Sequence, residues 1–87
     1  MNELVLHRRA ARYYKRLPEN IKQALKAKLE KLRDDPENYP GASRLAGEWA
    51  GYSRFRHGDL RVIYLYNAEE SCVYVNFIGP RGDVYKK

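Results

Sequence analysis

The sequence predicts a single α+β domain, in which a mainly antiparallel four-stranded sheet carries a two-helix hairpin on one face. Two stretches near the N terminus repeat apolar residues at helical spacing. The second half of the chain instead holds the apolar runs and turn residues that are typical of strands. The chain has 87 residues, which is the length of one domain, residues 1–87. The expected order of elements is β-α-α-β-β-β.

The first half of the chain predicts one short strand and two helices. The apolar run Leu4-Val5-Leu6 is typical of a strand. Residues 8–17 place apolar side chains on one helical face, and Pro18 ends this helix. Residues 19–35 repeat isoleucine and leucine at spacings of three and four, and the Asp-Pro pair that follows ends the second helix. The outer face of the first helix carries five basic residues: Arg8, Arg9, Arg12, Lys15 and Arg16.

The second half of the chain predicts a loop, a β-hairpin and a last strand. Residues 36–51 are rich in proline and glycine, which indicates a loop with one extended turn around Leu45. The segment YSRFRHGDLRVIYLY, residues 52–66, has the composition of a hairpin. The run CVYVNFIG, residues 72–79, predicts the last strand, and Pro80 ends it because proline cannot donate to a ladder.

The turn of the hairpin sets the direction of its arginines. Gly58 at the first central position of the turn favours a two-residue type II′ turn. In that turn Arg56 lies opposite Arg61, and Arg54 lies opposite Ile63, two pairs further along. Because opposed residues project to the same side, the three arginines share one face of the sheet. The other face is expected to carry Phe55, Val62, Tyr64 and Tyr66 beneath the helices.

Like charges directly opposite each other weaken a hairpin, so the Arg56–Arg61 pair breaks a local rule. Such breaks mark functional sites, and a guanidinium matches a phosphate with two parallel hydrogen bonds. The simpler alternative is that these arginines extend into water or pair with nearby carboxylates.

The chain has 17 Lys and Arg against 11 Asp and Glu, a net charge of +6. This charge favours an anionic partner, either a nucleic acid or an acidic protein.

Several classes of protein are excluded by the composition. There is no apolar run of about 18 residues, so no membrane span is expected, and no signal-peptide pattern opens the chain. The single cysteine, Cys72, excludes an internal disulfide, fits a cytoplasmic location and is expected to be a small buried hydrophobe. No metal-ligand spacing, P-loop or dinucleotide motif occurs, so neither a metal nor a cofactor is expected. His57 is expected to be a surface residue of the turn, and His7 to precede the first helix.

These residues together resemble the RelE/ParE toxin superfamily, on the RelE side. The family pattern has a leucine and a glycine ahead of an alternating basic strand, then G-D-x-R-V-I-Y, then a strand that ends in G-x-R-x-x-V-Y. The resemblance covers nearly the whole chain. The matching positions are Leu45, Gly47, Arg54, Arg56, residues 58–64, Gly79, Arg81, Val84 and Tyr85.

The resemblance implies a toxin of a type II toxin–antitoxin system. RelE-like toxins are messenger-RNA endonucleases that act in the ribosomal A site, need no metal and are held inactive by a cognate antitoxin. The expected partners are therefore a RelB-like antitoxin, in a hetero-oligomer, and the ribosome with its messenger RNA. The family places its active site at positions that are filled here by Arg54, Arg56, Arg61, Arg81 and Tyr85. The family often has lysine at the first two positions, where arginine keeps the charge but does not readily exchange a proton.

The implied reaction uses the nucleophile that RNA itself carries, the 2′-hydroxyl group. Tyr85 is the expected base, since a cluster of positive charge favours the ionised form of a phenol. The three hairpin arginines are expected to stabilise the charge that grows on the phosphate. Arg81 is expected nearest the leaving oxygen, as its acid or as electrostatic support.

Other interpretations stay open at the level of the sequence. A toxin of the ParE type has the same fold but inhibits DNA gyrase, and a catalytically inactive basic module would bind RNA without cutting it. The basic face of the first helix, with Lys86 and Lys87 at the C terminus, is a candidate surface for RNA or ribosome binding. The alternative for that helix is an ordinary solvated face.

Overall fold

The computed structural model describes residues 1–80 of the chain. These residues form a five-stranded mixed sheet with two helices on one face. The strands follow the order β1-β5-β4-β3-β2 across the sheet. The pair β1–β5 is parallel, and the other three pairs are antiparallel. The elements are β1 (Glu3–Leu6), α1 (Arg8–Lys15), α2 (Glu19–Asp34), β2 (Ser43–Arg44), β3 (Ser53–His57), β4 (Leu60–Asn67) and β5 (Cys72–Pro80).

The α+β fold is confirmed, but the sheet has five strands where the sequence predicts four. The added strand, β2, contains only Ser43 and Arg44 and pairs with the first residues of β3. It lies in the segment predicted as a loop with one extended turn around Leu45. The amide of Leu45 continues the contact by donating to the carbonyl of Tyr52 at 2.9 Å. A strand of two residues is too short to show an alternating pattern, which is why the sequence does not reveal it.

Each helix ends shortly before a proline: Pro18 follows α1, and Pro36 follows α2. At the end of α1 the amides of Arg16 and Leu17 donate to carbonyls three residues back, at 3.1 and 3.2 Å, and Pro18 is the N-cap residue of α2. At the end of α2 the Asn2 side chain donates to the carbonyl of Arg33 at 2.8 Å. This bond satisfies a helix-terminal acceptor and fixes the N terminus of the chain against α2. Neither helix within residues 1–80 is long and apolar enough to cross a membrane.

The hydrophobic core fills the space between the helices and one face of the sheet. The expected positions on β3 and β4 lie in it, with Tyr66 at its margin. Cys72 is buried, as predicted. The helices contribute leucines at the spacing that the sequence predicts. The buried core residues are Ala10, Leu25, Leu29, Leu32, Phe55, Val62, Tyr64, Val73, Val75 and Ile78.

The predicted register of the β3–β4 hairpin is confirmed. Arg56 is paired with Arg61, and His57 with Leu60. Gly58 has a φ of +59°, whereas Asp59 does not have a positive φ. This combination is that of a type II′ turn, whose twist matches the twist of the flanking strands.

The pairing of β4 with β5 contains a β-bulge. Ile63 pairs with Phe77, but the next residue, Tyr64, pairs with Val75, so Asn76 of β5 is the extra residue. Without a bulge, Val75 and Ile78 would point to opposite faces, because side chains alternate along a strand. The bulge lets both enter the core and turns Phe77 to the other face of the sheet.

The positive φ of Gly58 makes a stability prediction. Gly58→Ala places a side chain in a backbone conformation that costs about 1–3 kcal/mol for residues other than glycine. We expect urea denaturation to show a loss of this size in the free energy of unfolding. Asp59→Ala, at the next position of the same turn, is the control and is expected to change it by less than about 0.5 kcal/mol. Equal stabilities for the two variants would contradict the turn assignment.

Candidate functional site

Three arginines project from the face of the sheet that the helices leave uncovered. We call this surface the arginine face and define it by Arg54, Arg56 and Arg61. Their exposure differs: Arg56 is exposed, Arg54 is half-buried, and only 5 % of Arg61 is accessible. The face therefore combines a deeply buried guanidinium in its centre with a more accessible one beside it.

Arg61 occupies the centre because strands flank it on both sides. Arg56 of β3 lies on one side, and Gly79 of β5 lies on the other. A Cβ atom at Gly79 would lie 2.6 Å from Cζ of Phe77, so the ring of Phe77 covers this glycine. The absence of a side chain at Gly79 thus makes room for an aromatic ring beside the strand that carries Arg61.

Phe77 is a member of this surface that the sequence pattern does not reveal. Its side chain is half-exposed and shares the face of Ile63 and Arg61, away from the core. Simple alternation from Val75 would place Phe77 in the core, and only the bulge at Asn76 turns it outward. The signal that identifies it is therefore the pairing of β5 with β4 and not the sequence of β5 alone.

His57 lies on the opposite side of the hairpin from the arginine face. It is paired with Leu60 on the helix side of the sheet, and its Nδ1 atom is buried without a hydrogen-bond partner among residues 1–80. Burial lowers the pKa of His57, and the positive charge of Lys28 lowers it further. A histidine with a lowered pKa is neutral at pH 7, so His57 adds no charge to the site.

The basic residues of α1 form a surface of their own. The four of them and Arg16, which directly follows the helix, are all exposed, as predicted. The helix lies on the core side of the sheet, since its Ala10 belongs to the core cluster. This positive surface is therefore separated from the arginine face by the full thickness of the sheet.

Four of the predicted site residues lie outside the described residues: Arg81, Tyr85, Lys86 and Lys87. The end of β5 is described, and it lies beside the hairpin. Gly79 pairs with Arg61, and Pro80 pairs with Leu60. The described part of the chain thus ends next to the hairpin whose strands carry the arginine face.

Clusters of metal-ligating side chains are not found in the described part of the chain. No group of three His, Cys, Asp or Glu residues within residues 1–80 is arranged to hold an ion. The charge of the arginine face comes from guanidinium groups, whose donor geometry suits phosphate and carboxylate.

The sequence matches the family model described as "ParE toxin of type II toxin-antitoxin system, parDE" over residues 4–85. The chain belongs to the RelE/ParE toxin superfamily. It is therefore the toxin of a type II toxin–antitoxin system, as the sequence resemblance predicts. A search of curated protein sequences finds no match.

Solved structures of this superfamily share the fold. A toxin–antitoxin complex, RelBE2 of Mycobacterium tuberculosis, matches with a TM-score of 0.79 and 23% identity, over 92% of this chain and 98% of that one. The isolated RelE toxin of Escherichia coli matches with a TM-score of 0.78 and 22% identity, over 98% and 92%. The YoeB/ParE toxin of Agrobacterium tumefaciens matches with a TM-score of 0.79 and 18% identity, over 91% and 98%.

The contact between Gly79 and the ring of Phe77 leads to a prediction about the stability of variants at these two positions. Gly79→Ala inserts a methyl group into the space of the Phe77 ring, and such overpacking costs about 1–3 kcal/mol of unfolding free energy. In a double-mutant cycle, the same change made in a Phe77→Ala background is expected to cost at least about 1 kcal/mol less. Additive effects of the two substitutions in urea denaturation would show that the ring does not lie over Gly79.

Proposed function

We propose that this toxin is an endoribonuclease that cleaves messenger RNA in the ribosomal A site and so inhibits translation. The observation that carries the proposal is the direct opposition of Arg56 and Arg61 on the arginine face, with Arg54 beside them. Guanidinium groups that lie side by side can bind one phosphate together, each through charge-assisted hydrogen bonds. A surface of this kind suits a substrate that brings its own negative charge.

The exposure of the arginines supports different roles in the proposed site. Arg56 is exposed and can meet the RNA backbone first. Arg61 is almost completely buried, so its guanidinium is held in place before the substrate arrives. Fixed donors stabilise a developing charge effectively because they need no reorganisation during the reaction. We therefore propose that Arg61 and Arg54 hold the scissile phosphate as its charge grows.

The reaction that we propose starts with the 2′-hydroxyl group of the RNA. Tyr85, in its ionised form, accepts the proton, the 2′-oxygen attacks the adjacent phosphate, and the bond to the 5′-oxygen of the next nucleotide breaks. Arg81 stabilises the negative charge on the leaving oxygen, which takes a proton from water. Because the substrate supplies the nucleophile and the arginines supply positive charge, no step of the proposed reaction requires a metal ion. The position of Pro80 opposite Leu60 supports this assignment, since residues 81–87 follow directly from the edge of the site.

The expected partner is a RelB-like antitoxin. The structures of similar fold include complexes of RelE with RelB from Pyrococcus horikoshii and of RelBE from Escherichia coli. We propose that this toxin likewise assembles with its antitoxin in a hetero-oligomer, and that the ribosome with its messenger RNA is the target of the released toxin. The basic face of α1 and the lysines at positions 86 and 87 are the proposed ribosome contacts.

A second candidate function is supported by the family model, which is that of ParE toxins. In this case the toxin would inhibit DNA gyrase and would not need the set of arginines with Tyr85. A supercoiling assay with purified gyrase separates the two candidates. Inhibition of supercoiling without any effect on translation would favour the gyrase inhibitor and contradict the nuclease.

Tyr85→Phe tests the proposed base. Loss of the phenol oxygen is expected to lower the rate of messenger cleavage on ribosomes by about 10²- to 10⁴-fold, the usual contribution of a general base. Ribosome binding is expected to stay within a factor of about two, since the arginines remain. Tyr13→Phe on α1, which removes a hydroxyl far from the arginine face, is the matched control and should cleave normally.

Two results would count against this assignment. Normal cleavage by Tyr85→Phe would exclude the tyrosine as base. Equal losses of cleavage and of ribosome binding would show that Tyr85 holds the substrate and does not take part in proton transfer.

A further inference from the structure

A groove of about 520 Å³ crosses the outer edge of β3, next to the arginine face. We call it the edge groove. β2 begins level with Arg54, and residues 39–41 of the chain before it line the groove, with Gly41 at a φ of +84°. One wall comes from the arginine face, with Arg54 and Arg56, and the other comes from the helix layer, with Lys28 of α2.

The charge of the edge groove is entirely positive. Three cationic side chains line it, and no carboxylate is among its lining residues. Two other basic residues of α2 form salt bridges: Lys22 with Glu19 at 3.9 Å, and Arg33 with Asp34 at 3.4 Å. Lys28 is half-buried and, like Lys26 and Lys31, makes no such salt bridge within residues 1–80.

One buried donor at the groove lacks an acceptor. The Nε atom of Arg54 is buried and has no hydrogen-bond partner among residues 1–80. A buried donor that is left unsatisfied is unfavourable, so the guanidinium of Arg54 gains from an acceptor that reaches it. The charge of Lys28 also acts on β3, where it lowers the pKa of His57.

The groove also contains an aromatic wall. The ring of Tyr39 packs against the ring of Phe55, with centroids 5.0 Å apart and planes tilted by 52°. This contact holds the Tyr39 ring in position at the groove. Cationic side chains combined with an aromatic ring are the arrangement by which proteins bind single-stranded nucleic acid. The volume is within the range that holds one small-molecule-sized unit such as a nucleotide.

We infer that the edge groove binds a nucleotide next to the cleaved bond, with its phosphate held by Lys28 and by the guanidinium of Arg54, whose several donors are shared with the scissile phosphate. The inference rests on the proposed function and extends it, since it assigns an RNA contact to α2, outside the hairpin and the C-terminal segment. An RNA strand on the arginine face reaches the groove without a break, because Arg54 and Arg56 border both surfaces. The substrate footprint therefore includes one phosphate more than the arginine face alone would hold.

The test measures RNA binding apart from RNA cleavage. The probe is a fluorescein-labelled hexanucleotide of mixed sequence in which every ribose is 2′-O-methylated, so that attack on the phosphate is blocked. Lys28→Met is expected to weaken binding of this probe by about tenfold, the value of one charge-assisted hydrogen bond. The slope of log affinity against log salt should decrease by about 0.7, the contribution of one contact to a single strand.

Matched variants separate the groove from general charge effects. Lys26→Met removes the same charge from the same helix, but Lys26 is exposed and does not line the edge groove. It is expected to bind the probe within about twofold of the wild type, since an exposed charge away from a phosphate contributes little. Lys28→Arg keeps a cation at the groove and should restore most of the affinity. Circular dichroism confirms that each variant is folded.

The outcomes distinguish the inference from the proposed function. If the wild type binds the RNA probe and Lys28→Met binds it as tightly as Lys26→Met does, the groove assignment is wrong and the proposed function is unaffected. Binding that depends on Lys28 in a toxin that cuts no messenger on ribosomes overturns the proposed function and keeps the groove as an RNA site. If Lys28→Met weakens the antitoxin complex while RNA binding is unchanged, the groove is an antitoxin surface and the inference is wrong.

Discussion

The register of one hairpin determines where the three arginines of the arginine face lie. Arg56 faces Arg61 because the turn has two residues and Gly58 supplies its positive φ. A slip of one residue would turn Val62 away from the core and bring Arg61 into it, since side chains alternate along a strand. The buried face of the hairpin therefore fixes the register, and the fixed register places the arginines together on the other face.

Because of the bulge, β5 contributes apolar side chains to both faces of the sheet. It sends Val75 and Ile78 into the core, and it leaves Phe77 on the other side, close to Arg61. The arginine face thus has apolar surface beside it as well as three cations. Such a combination suits a nucleic acid, which offers both phosphates and flat bases. The chain belongs to the RelE/ParE toxin superfamily. Of the two functions proposed for this toxin, the arginines favour the nuclease over the gyrase inhibitor.

Local sequence signals predict most of this architecture. Gly58 identifies the turn, and a turn of two residues is enough to place Arg54, Arg56 and Arg61 on one face. The two-residue strand β2 gives no periodic signal. The edge groove gives none either, because Lys28 and Arg54 come from separate elements and meet only through the packing of α2 on the sheet. The positions of Arg81 and Tyr85 remain predictions from the family pattern, since they lie outside residues 1–80.

The chemistry at the cut end of the RNA tests the central claim most directly. An end-labelled messenger is bound to purified ribosomes with an empty A site and incubated with the toxin, with and without EDTA. Attack by the 2′-hydroxyl group must leave a 2′,3′-cyclic phosphate, and we expect this end within the A-site codon at the same rate in EDTA. A 3′-hydroxyl end, or cleavage that EDTA abolishes, would contradict the proposed reaction. The absence of any cut would contradict the assignment of the arginine face to RNA cleavage.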